Sequence, residues 1–432
     1  MKAIRIVVVF LSVLALSGAF AKGQDEGAKG KLAASITAAL IENTSDYKTM
    51  KPRLEEWGAA NNVKVEVIGY PNKDFKPTLV TAWAAGSDKF DIIQQGPPSE
   101  FVDAGFIIPL DGSANPAVKL TKEYLDQIYP SVYELSKYKG KPYILYYSTD
   151  ANPLIWRKDL LAAAGFAKPG DTWPEFIAAA KKMTRDTNGD GVIDVYGFAS
   201  WYRPEPNANA RQWREVAYNH GAEWFVNNDY DFTNEPSVQS MQIHYDLMNT
   251  HKVTPLAATT WYQNEQFNAI KAGQIAMSQI GIWQWGAHQA DDSPVKGKLG
   301  IGEMPAGSKH RSTELGGNGF MIPKLSKKAA TSWQAGLFAC NEQSQIKMQQ
   351  SRLDWSPMKS IYKNAEAIKG MEEAAAAYEK SLLNSHIVPR SPFTDEVERI
   401  CAVAMDKILH GGVGVKQGLE DALKEVHATL KW

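Results

Sequence analysis

Cysteine is almost absent from this chain, which has 432 residues and only two cysteines, Cys340 and Cys401. A framework of several disulfides is therefore excluded as the basis of the fold. Both residues lie within apolar helical patterns, where a thiol behaves as a small hydrophobic side chain, so we expect two free, buried cysteines. A single bond between them is the alternative in an oxidising compartment.

Positive charge is not in excess either, since 47 Lys and Arg residues stand against 48 Asp and Glu residues. Proteins that bind nucleic acid usually carry a basic surface, so this balance argues against that class. Long hydrophobic runs are missing beyond the N-terminus, because no later segment approaches the roughly 18 apolar residues of a membrane-spanning helix. We therefore expect a soluble mature chain without a nucleic-acid partner.

The N-terminal residues form a pattern of their own. Basic residues precede the apolar run Ile6–Leu16, and Ala19-Phe20-Ala21 matches a small-residue cleavage site. This order is typical of a cleavable secretory signal peptide, and no cysteine follows the site to carry a lipid anchor. We expect residues 1–21 to be a signal peptide, residues 22–31 to be a flexible leader, and the protein to be periplasmic. A short N-terminal membrane anchor is the alternative.

Catalytic signatures are also scarce. The sequence contains no H-E-x-x-H, no G-x-S-x-G and no G-x-x-x-x-G-K-[ST] motif. Its eight histidines show no metal-ligand spacing, and Gly412-Val413-Gly414 follows a helical pattern rather than the strand that a dinucleotide fingerprint requires. We therefore expect no catalytic residues and no required cofactor.

What is present is a chain too long for one ordinary core, so we expect two lobes. Val63–Val67 alternates with a period of two residues and is rich in β-branched side chains, which predicts a strand. Apolar runs before and after it, Leu32–Leu40 and Phe90–Ile93, predict two more strands with helices between them. This order predicts an α/β protein whose parallel sheet carries helices on both faces.

An acidic loop, Asp186–Asp194, resembles a calcium-binding loop, with Gly191 at the tight turn. The candidate ligands are Asp186, Asn188, Asp190, Val192 and Asp194. The twelfth position is Gly197, so the bidentate Glu of an EF-hand is missing. A structural Ca²⁺ site and a hydrated turn rich in Asx residues are the two interpretations.

Tryptophan is abundant, with 13 residues, and several of them lie in segments rich in Gly, Pro or Asn. An aromatic ring offers a flat apolar face that matches the C–H face of a pyranose, while carboxylates, amides and Arg bind hydroxyl groups. The pattern favours a site where aromatic rings stack on a sugar. Packing in the core is the alternative for any single ring.

Several motifs follow one another in an order that is more specific than any of them alone. They are Gly105–Leu110, Trp156–Leu160, Thr172-Trp173, Phe267–Met277, Gly281–Trp283, Gly316–Gly319 and Ile322–Lys324. In this order the chain resembles the family 1 extracellular solute-binding proteins, the sugar-binding components of ABC importers, over nearly its whole mature length.

The resemblance implies an α/β protein with the two-lobed periplasmic binding protein fold, type II and maltose-binding-like. A ligand cleft is expected between the lobes, which are joined by a hinge. The N-terminal lobe would comprise residues 32–147 and 306–345, and the C-terminal lobe residues 148–305 and 346–432. The function implied is hinge closure around a sugar or oligosaccharide, which a monomer delivers to the permease subunits of the membrane transporter.

The resemblance also implies ligand-binding residues. Asp150 corresponds to a sugar-binding carboxylate beside the hinge, whereas Pro97-Pro98-Ser99 departs from the acidic and basic pair usual after the third strand. The full expected set is Asn43, Gln95, Asp150, Trp201, Tyr202, Arg211, Trp283, Asn318 and Trp355. Glu42 and Gln94 are plausible neighbours, because ligands of open α/β sheets bind beyond the carboxyl ends of the strands.

Two alternative functions stay open at this point. One is a binding protein for a polyol, a peptide or a phosphodiester, although an anionic ligand would call for clustered cations and only Arg203 and Arg211 are evident in the sequence. The other is a secreted carbohydrate-active enzyme, since clefts rich in aromatic residues with paired acids also suit glycoside hydrolysis.

Overall fold

The structure is a computed structural model that describes residues 31–205, 208–351 and 354–430. The expected signal peptide, residues 1–21, lies outside the described residues, as does the expected leader apart from Lys31. No helix within the described ranges is both long and apolar enough to span a membrane.

The strands are β1 (Ser35–Ile41), β2 (Lys64–Tyr70), β3 (Ile92–Gln95), β4 (Lys137–Tyr138), β5 (Lys141–Pro142), β6 (Leu145–Asp150), β7 (Leu154–Arg157), β8 (Tyr196–Ala199), β9 (Phe225–Val226), β10 (Asp229–Tyr230), β11 (Ile275–Gln279), β12 (Leu299–Gly302), β13 (Thr313–Glu314), β14 (Gly316–Met321) and β15 (Ser385–His386).

The α-helices are α1 (Ser45–Asn61), α2 (Asn72–Ala84), α3 (Ser99–Asp103), α4 (Lys122–Gln127), α5 (Pro130–Leu135), α6 (Lys158–Ala163), α7 (Trp173–Met183), α8 (Asn209–Asn219), α9 (Glu235–Tyr245), α10 (Gln263–Lys271), α11 (Trp285–His288), α12 (Ala329–Ala339), α13 (Glu342–Gln350), α14 (Glu372–Leu383), α15 (Thr394–Leu409) and α16 (Val415–Thr429). A π-helical turn, Asp246–Thr250, and 3₁₀ turns at Leu256–Thr260, Ile282–Gln284 and Ile361–Lys363 complete the helices of the described ranges.

Two separate sheets organise the molecule. The first has the order β2-β1-β3-β14-β6, in which β1 runs parallel to β2 and β3 while β14 runs antiparallel to β3 and β6. The second has the order β12-β7-β11-β8, in which β8 and β11 are parallel. We call the parts built around these sheets the first lobe and the second lobe. The predicted α/β architecture with two lobes is confirmed.

The chain passes from one sheet to the other next to the cleft that the lobes form. It leaves the first sheet after Asp150 and enters the second at Leu154, and it returns between Gly302 and Gly316. A later segment runs beside the first crossing, because the amide of Thr149 donates to the carbonyl of Trp355 at 2.8 Å. The boundaries predicted for the lobes at residues 147/148, 305/306 and 345/346 lie close to these passages and stay a prediction.

Each lobe has its own buried core, and the two cysteines lie in different ones. Cys340 packs under the first sheet with α1 and α12, whereas Cys401 packs among α8, α9, α15 and α16 in the second lobe. Both are fully buried and free, which confirms the expectation of two unpaired thiols. A capping box starts α7, since Thr172 accepts from the Glu175 amide and the Glu175 carboxylate accepts from the Thr172 amide.

Candidate functional site

A group of polar side chains lies at the carboxyl ends of β1 and β3, on the edge of the first sheet. The Gln94 amide nitrogen and the Asn318 amide nitrogen each donate to Asp46 Oδ2 at 2.9 Å. The Gln94 amide oxygen accepts from the backbone of Ile41, so its orientation is fixed from both ends. Since α1 starts directly beyond β1, with Thr44 as its cap, Asp46 is held in the first turn of that helix.

Asp354 joins this group from the far end of the chain. Ser45 Oγ donates to Asp354 Oδ1 at 2.8 Å, and both acidic residues are buried, with Asp46 4% and Asp354 7% exposed. Burial raises the pKa of Asp46 well above its ordinary value, and the neighbouring Asp354 carboxyl raises it further. Burial raises the pKa of Asp354 as well. The two acids therefore form a pair that retains a proton where isolated carboxyls would be ionised.

Asp150, at the end of β6, lies at the first crossing between the lobes. Arg211 Nη2 donates to Asp150 Oδ1 at 3.1 Å and to the backbone carbonyl of Glu314 at 3.2 Å. Arg211 thus binds the first and second crossings together. A Cβ on Gly316 would lie 2.5 Å from Asp150 Oδ1, so any larger residue there would displace this carboxylate.

Behind Arg211 lies a buried network of charges. Arg214 donates two hydrogen bonds from Nη2 to the Glu314 carboxylate, at 3.0 and 2.9 Å, and one from Nη1 to Glu398 at 2.7 Å. Burial opposes the charge on Glu314, but Arg214 and Arg211 lower its pKa to about 2. Glu314 is therefore ionised at neutral pH, and the second crossing is fixed to α8 and α15 by ion pairs.

Glu215 is a further buried acid at the crossings. Its carboxylate accepts from Gln279 Nε2 at 2.6 Å, from Thr313 Oγ1 at 3.2 Å and from the amide of Glu314 at 3.1 Å. Burial raises the pKa of Glu215 to about 7, although these donors and Arg211 act in the opposite direction. Two of these donors belong to the second crossing, and Gln279, at the end of β11, also donates to the carbonyl of Asn152 in the first. Glu215 is buried, so it positions the crossings rather than facing the cleft.

The second lobe contributes aromatic rings next to the first crossing. The amide of Ile282 donates to the carbonyl of Ala151 at 3.2 Å, so the segment that carries Trp283 meets the first crossing one residue after Asp150. Trp201 stacks on Trp283 with ring centroids 6.2 Å apart and an interplanar angle of 22°. Trp201 is only 1% exposed, whereas Trp283 is half-buried, so Trp283 supplies the accessible face of this pair.

Other predicted site residues differ in accessibility. Tyr202 is buried in the second-lobe core with its hydroxyl 3.1 Å from His244 Nδ1, and Trp355 is fully buried against Tyr378. Neither ring presents a free face for stacking in this structure. Asn43 is exposed beyond β1 in the left-handed region, with φ of 61°.

Sequence reasoning missed Tyr262, which flanks the accessible tryptophan pair. Its ring centroid lies 6.2 Å from that of Trp201, and the guanidinium of Arg203 lies 4.9 Å from its centroid. Arg203 also pairs with Glu205 at 2.8 Å. A Tyr in the loop after Trp261 carries no local signal that separates it from core aromatics, so only the fold identifies it.

A cavity of about 510 Å³ is lined by residues of both lobes. Its first-lobe wall consists of α2, α3 and the loop that starts with Gln95, and its second-lobe wall consists of residues 390–395. Across its mouth Lys76, on α2, forms ion pairs with Glu100 and, at 3.2 Å, with Asp395 of α15. Of the predicted site residues, Gln95 belongs to the described lining of this cavity, whereas Asp150, Arg211, Trp283 and Asn318 do not.

The acidic loop lies away from the cleft, between α7 and β8. The Asp186 carboxylate accepts backbone hydrogen bonds from Asn188, Gly189 and Gly191 at 3.1, 2.6 and 2.7 Å. Asp194 Oδ2 accepts from the amide of Thr187 at 2.7 Å. Within the described ranges, no group of three or more Asp, Glu, His or Cys side chains is placed to hold a metal ion. The Asx-turn interpretation accounts for these contacts, and calcium binding stays a prediction.

Comparison with known proteins identifies two relatives that are named as binding proteins. A probable ABC transporter-binding protein of Deinococcus radiodurans is 26% identical over 256 residues, which are 58% of this chain and 60% of that protein's length. An arabinooligosaccharide-binding protein of Bacillus subtilis is 23% identical over 316 residues, 71% of this chain and 69% of that protein.

A solved structure shows the same fold over the whole of its length. Maltose-bound MalE3 of T. maritima superimposes with a TM-score of 0.77 at 22% identity, covering 92% of this chain and 100% of that one. The sequence profile described as bacterial extracellular solute-binding protein matches residues 42–339, which is more than half of the chain. This protein therefore belongs to the family of bacterial extracellular solute-binding proteins.

Proposed function

We propose that this protein is the solute-binding component of an ABC importer and that it binds a sugar or oligosaccharide between its lobes. The observation that carries the proposal is the bond between the Ile282 amide and the Ala151 carbonyl, which brings the segments that carry Trp283 and Asp150 together at the first crossing, where the ring of Trp283 is only half-buried. A flat apolar face beside a carboxylate provides both the stacking surface and the hydroxyl acceptor that a pyranose requires.

The residues around this point supply the polar contacts of the proposed site. Gln95 and Asn318 come from the first lobe, and Arg211 and Trp283 from the second. Trp201 contributes by supporting the ring of Trp283 from behind. Because its contacts come from both lobes, the ligand binds the closed arrangement more tightly than the open one, and only such a difference in affinity shifts a conformational equilibrium.

The cellular role follows from the proposed mode of binding. The protein acts in the periplasm after removal of residues 1–21, as a monomer, and its closed form docks on the permease subunits of the transporter. It performs no chemistry on its ligand. The family, the arabinooligosaccharide-binding relative and the maltose-bound neighbour support this proposal.

A thermal-shift screen of the mature protein against mono-, di- and oligosaccharides and polyols tests the proposal. A sugar present at 100 times its dissociation constant should stabilise the fold by about 2.7 kcal/mol, and the shift should grow with ligand concentration. Chromatography of the same mixtures measures turnover. Stabilisation only by peptides or other solutes would overturn the carbohydrate assignment, and hydrolysis of a sugar would overturn the binding-protein assignment.

A further inference from the structure

Arg390 lines the cavity between the lobes with almost no protein partner for its guanidinium. Its side chain is 19% exposed, and its nearest ionic contact joins Nη2 to Glu314 Oε1 at 4.0 Å. In the part of the chain that the structure describes, Arg390 makes no side-chain hydrogen bond. A guanidinium carries five N–H donors and stays charged at all physiological pH values, so a largely buried one requires acceptors.

Glu314 does not supply those acceptors. Its carboxylate receives three hydrogen bonds from Arg214, one from Nε at 3.0 Å and two from Nη2 at 3.0 and 2.9 Å, and Arg211 Nε approaches it at 3.6 Å. Two arginines therefore already surround the carboxylate that Arg390 reaches only at 4.0 Å. The positive charge of Arg390 is therefore available to a ligand in the cavity.

The carboxylates that line the cavity are also engaged elsewhere. Glu100 and Asp395 are the acidic residues in the described lining, and both form ion pairs with Lys76 at the mouth. A further cation, Lys73, lies exposed on the same wall. The remaining polar groups of the wall are neutral amides and hydroxyls, so the interior of the cavity combines a cationic centre with uncharged hydrogen-bonding groups.

We propose that this cavity takes an anionic sugar, and that Arg390 binds its carboxylate or phosphate group. The inference rests on the proposed function and extends it through Gln95, which belongs both to the proposed site and to the lining of this cavity, and the neutral amides and hydroxyls of the walls would bind the sugar hydroxyls. An anion satisfies several donors of one guanidinium at once, in a bidentate contact that a neutral hydroxyl cannot form. Arg203 and Arg211, the cations singled out in the sequence, are paired with Glu205 and Asp150, and Lys73 is exposed, so Arg390 is the largely buried cation of the lining that an anion would satisfy.

Isothermal titration calorimetry tests the inference with four probes. They are galacturonate and digalacturonate as carboxylates, glucose 6-phosphate as a phosphate, and maltose as a neutral sugar. We expect an acidic probe to bind more tightly than maltose, with an affinity that falls as salt is raised. Preference for the uronates or for the sugar phosphate identifies the source of the anion.

The variants Arg390→Gln and Arg390→Lys locate the effect. Gln removes the charge and should weaken binding of the acidic probe by roughly 10- to 100-fold, the range expected for a hydrogen bond to a charged group. Lys keeps the positive charge but cannot form the bidentate contact of a guanidinium, so it should give an intermediate loss of affinity. Arg399→Gln, on the exposed face of α15, is the matched control and should bind as the wild type does.

The outcomes separate this inference from the function on which it rests. Tight binding of maltose with no preference for acidic probes, unchanged in Arg390→Gln, would overturn the inference and leave the sugar-binding function intact. Failure of every carbohydrate, acidic or neutral, would overturn both. If Arg390→Gln does not fold, by circular dichroism, the Lys variant and the salt dependence of the wild type decide the question.

Discussion

Asp46 and Asp354 form a buried pair of carboxyl groups although they come from opposite ends of the sequence. Each has one oxygen with hydrogen-bonding partners, and each has one oxygen, Asp46 Oδ1 and Asp354 Oδ2, without a partner in the described part of the chain. One shared proton would satisfy both orphan oxygens. The pair thus joins the first turn of α1 to the segment that returns beside the first crossing.

Replacing Asp354 with Asn should make stability less dependent on pH. A carboxyl whose pKa is raised on folding binds more protons in the folded state than in the unfolded chain, so the free energy of unfolding falls as pH rises above about 4. The amide that this substitution introduces would donate to Asp46 without needing a shared proton. We expect Asp354→Asn to gain about 1 kcal/mol or more over the wild type at pH 8 compared with pH 5.

Urea unfolding at the two pH values measures this difference. Asp126→Asn, an exposed acid on α4, is the control and should follow the wild type at both. A wild-type free energy of unfolding that rises from pH 5 to pH 8 by as much as that of Asp354→Asn would contradict the shared proton.

Removing the accessible aromatic face should weaken ligand binding. The ring of Trp283 is half-buried and its Nε1 donates to Gln263 at 3.2 Å, so its orientation is fixed before a ligand binds. Trp283→Ala should cost about 1–3 kcal/mol of binding free energy for the sugar found in the screen. Calorimetry would show this as a higher Kd, and Trp283→Phe, which keeps an aromatic face, should retain most of the affinity. Equal affinities in all three proteins would remove Trp283 from the site.

The ion pair across the mouth of the cavity should slow opening. Lys76 binds Asp395 of the opposite lobe, so Lys76→Ala removes an attraction that exists only when the lobes are close. The pair is partly exposed and worth about 1 kcal/mol at most, so we expect ligand dissociation to accelerate by up to roughly fivefold. Stopped-flow fluorescence measures the rate. Lys327→Ala, which breaks a pair with Asp88 inside the first lobe, should leave it unchanged, and an equal effect in both variants would rule out the interlobe contact as the cause.

Calcium should stabilise the loop between α7 and β8 if its carboxylates turn from the backbone amides to a metal ion. We expect the melting temperature of the chelated wild type to rise when calcium is added, because a ligand that binds only the folded state stabilises it. Asp190→Asn should abolish the rise while leaving the chelated melting temperature near that of the wild type. If the melting temperature of the wild type does not change when calcium is added, the Asx turn is the interpretation of this loop that remains.

Local sequence patterns predicted helices and strands well where the structure of a segment depends on residues that are close together in the chain. The alternation at Val63–Val67 predicted β2, which spans Lys64–Tyr70. The helix predicted between the first two strands begins at Ser45, before its buried apolar residues start at Met50, because Thr44 caps it by accepting from the Tyr47 amide. A capping hydroxyl several residues before the apolar residues indicates the start of a helix less clearly than the apolar residues indicate the helix itself.

The site was less predictable, because its contacts join residues far apart in the sequence. Family resemblance indicated Asp150 and Trp283, which the structure places at the first crossing. No pattern indicated that Asp354 would meet Asp46, or that Arg390 would border the cavity with its guanidinium left to face it. Such pairings depend on how the two lobes and their three passages pack, and spacing along the chain carries no information about that packing.

Because both thiols are buried, reagents that modify cysteine should not label this protein. Burial raises the pKa of both Cys340 and Cys401, so neither forms the thiolate that reacts with maleimides. New cysteines at exposed positions, such as Glu55 on α1 and Lys416 on α16, would therefore accept a pair of fluorophores without background labelling. The separation between the dyes would then report lobe movement in single molecules while ligand is added.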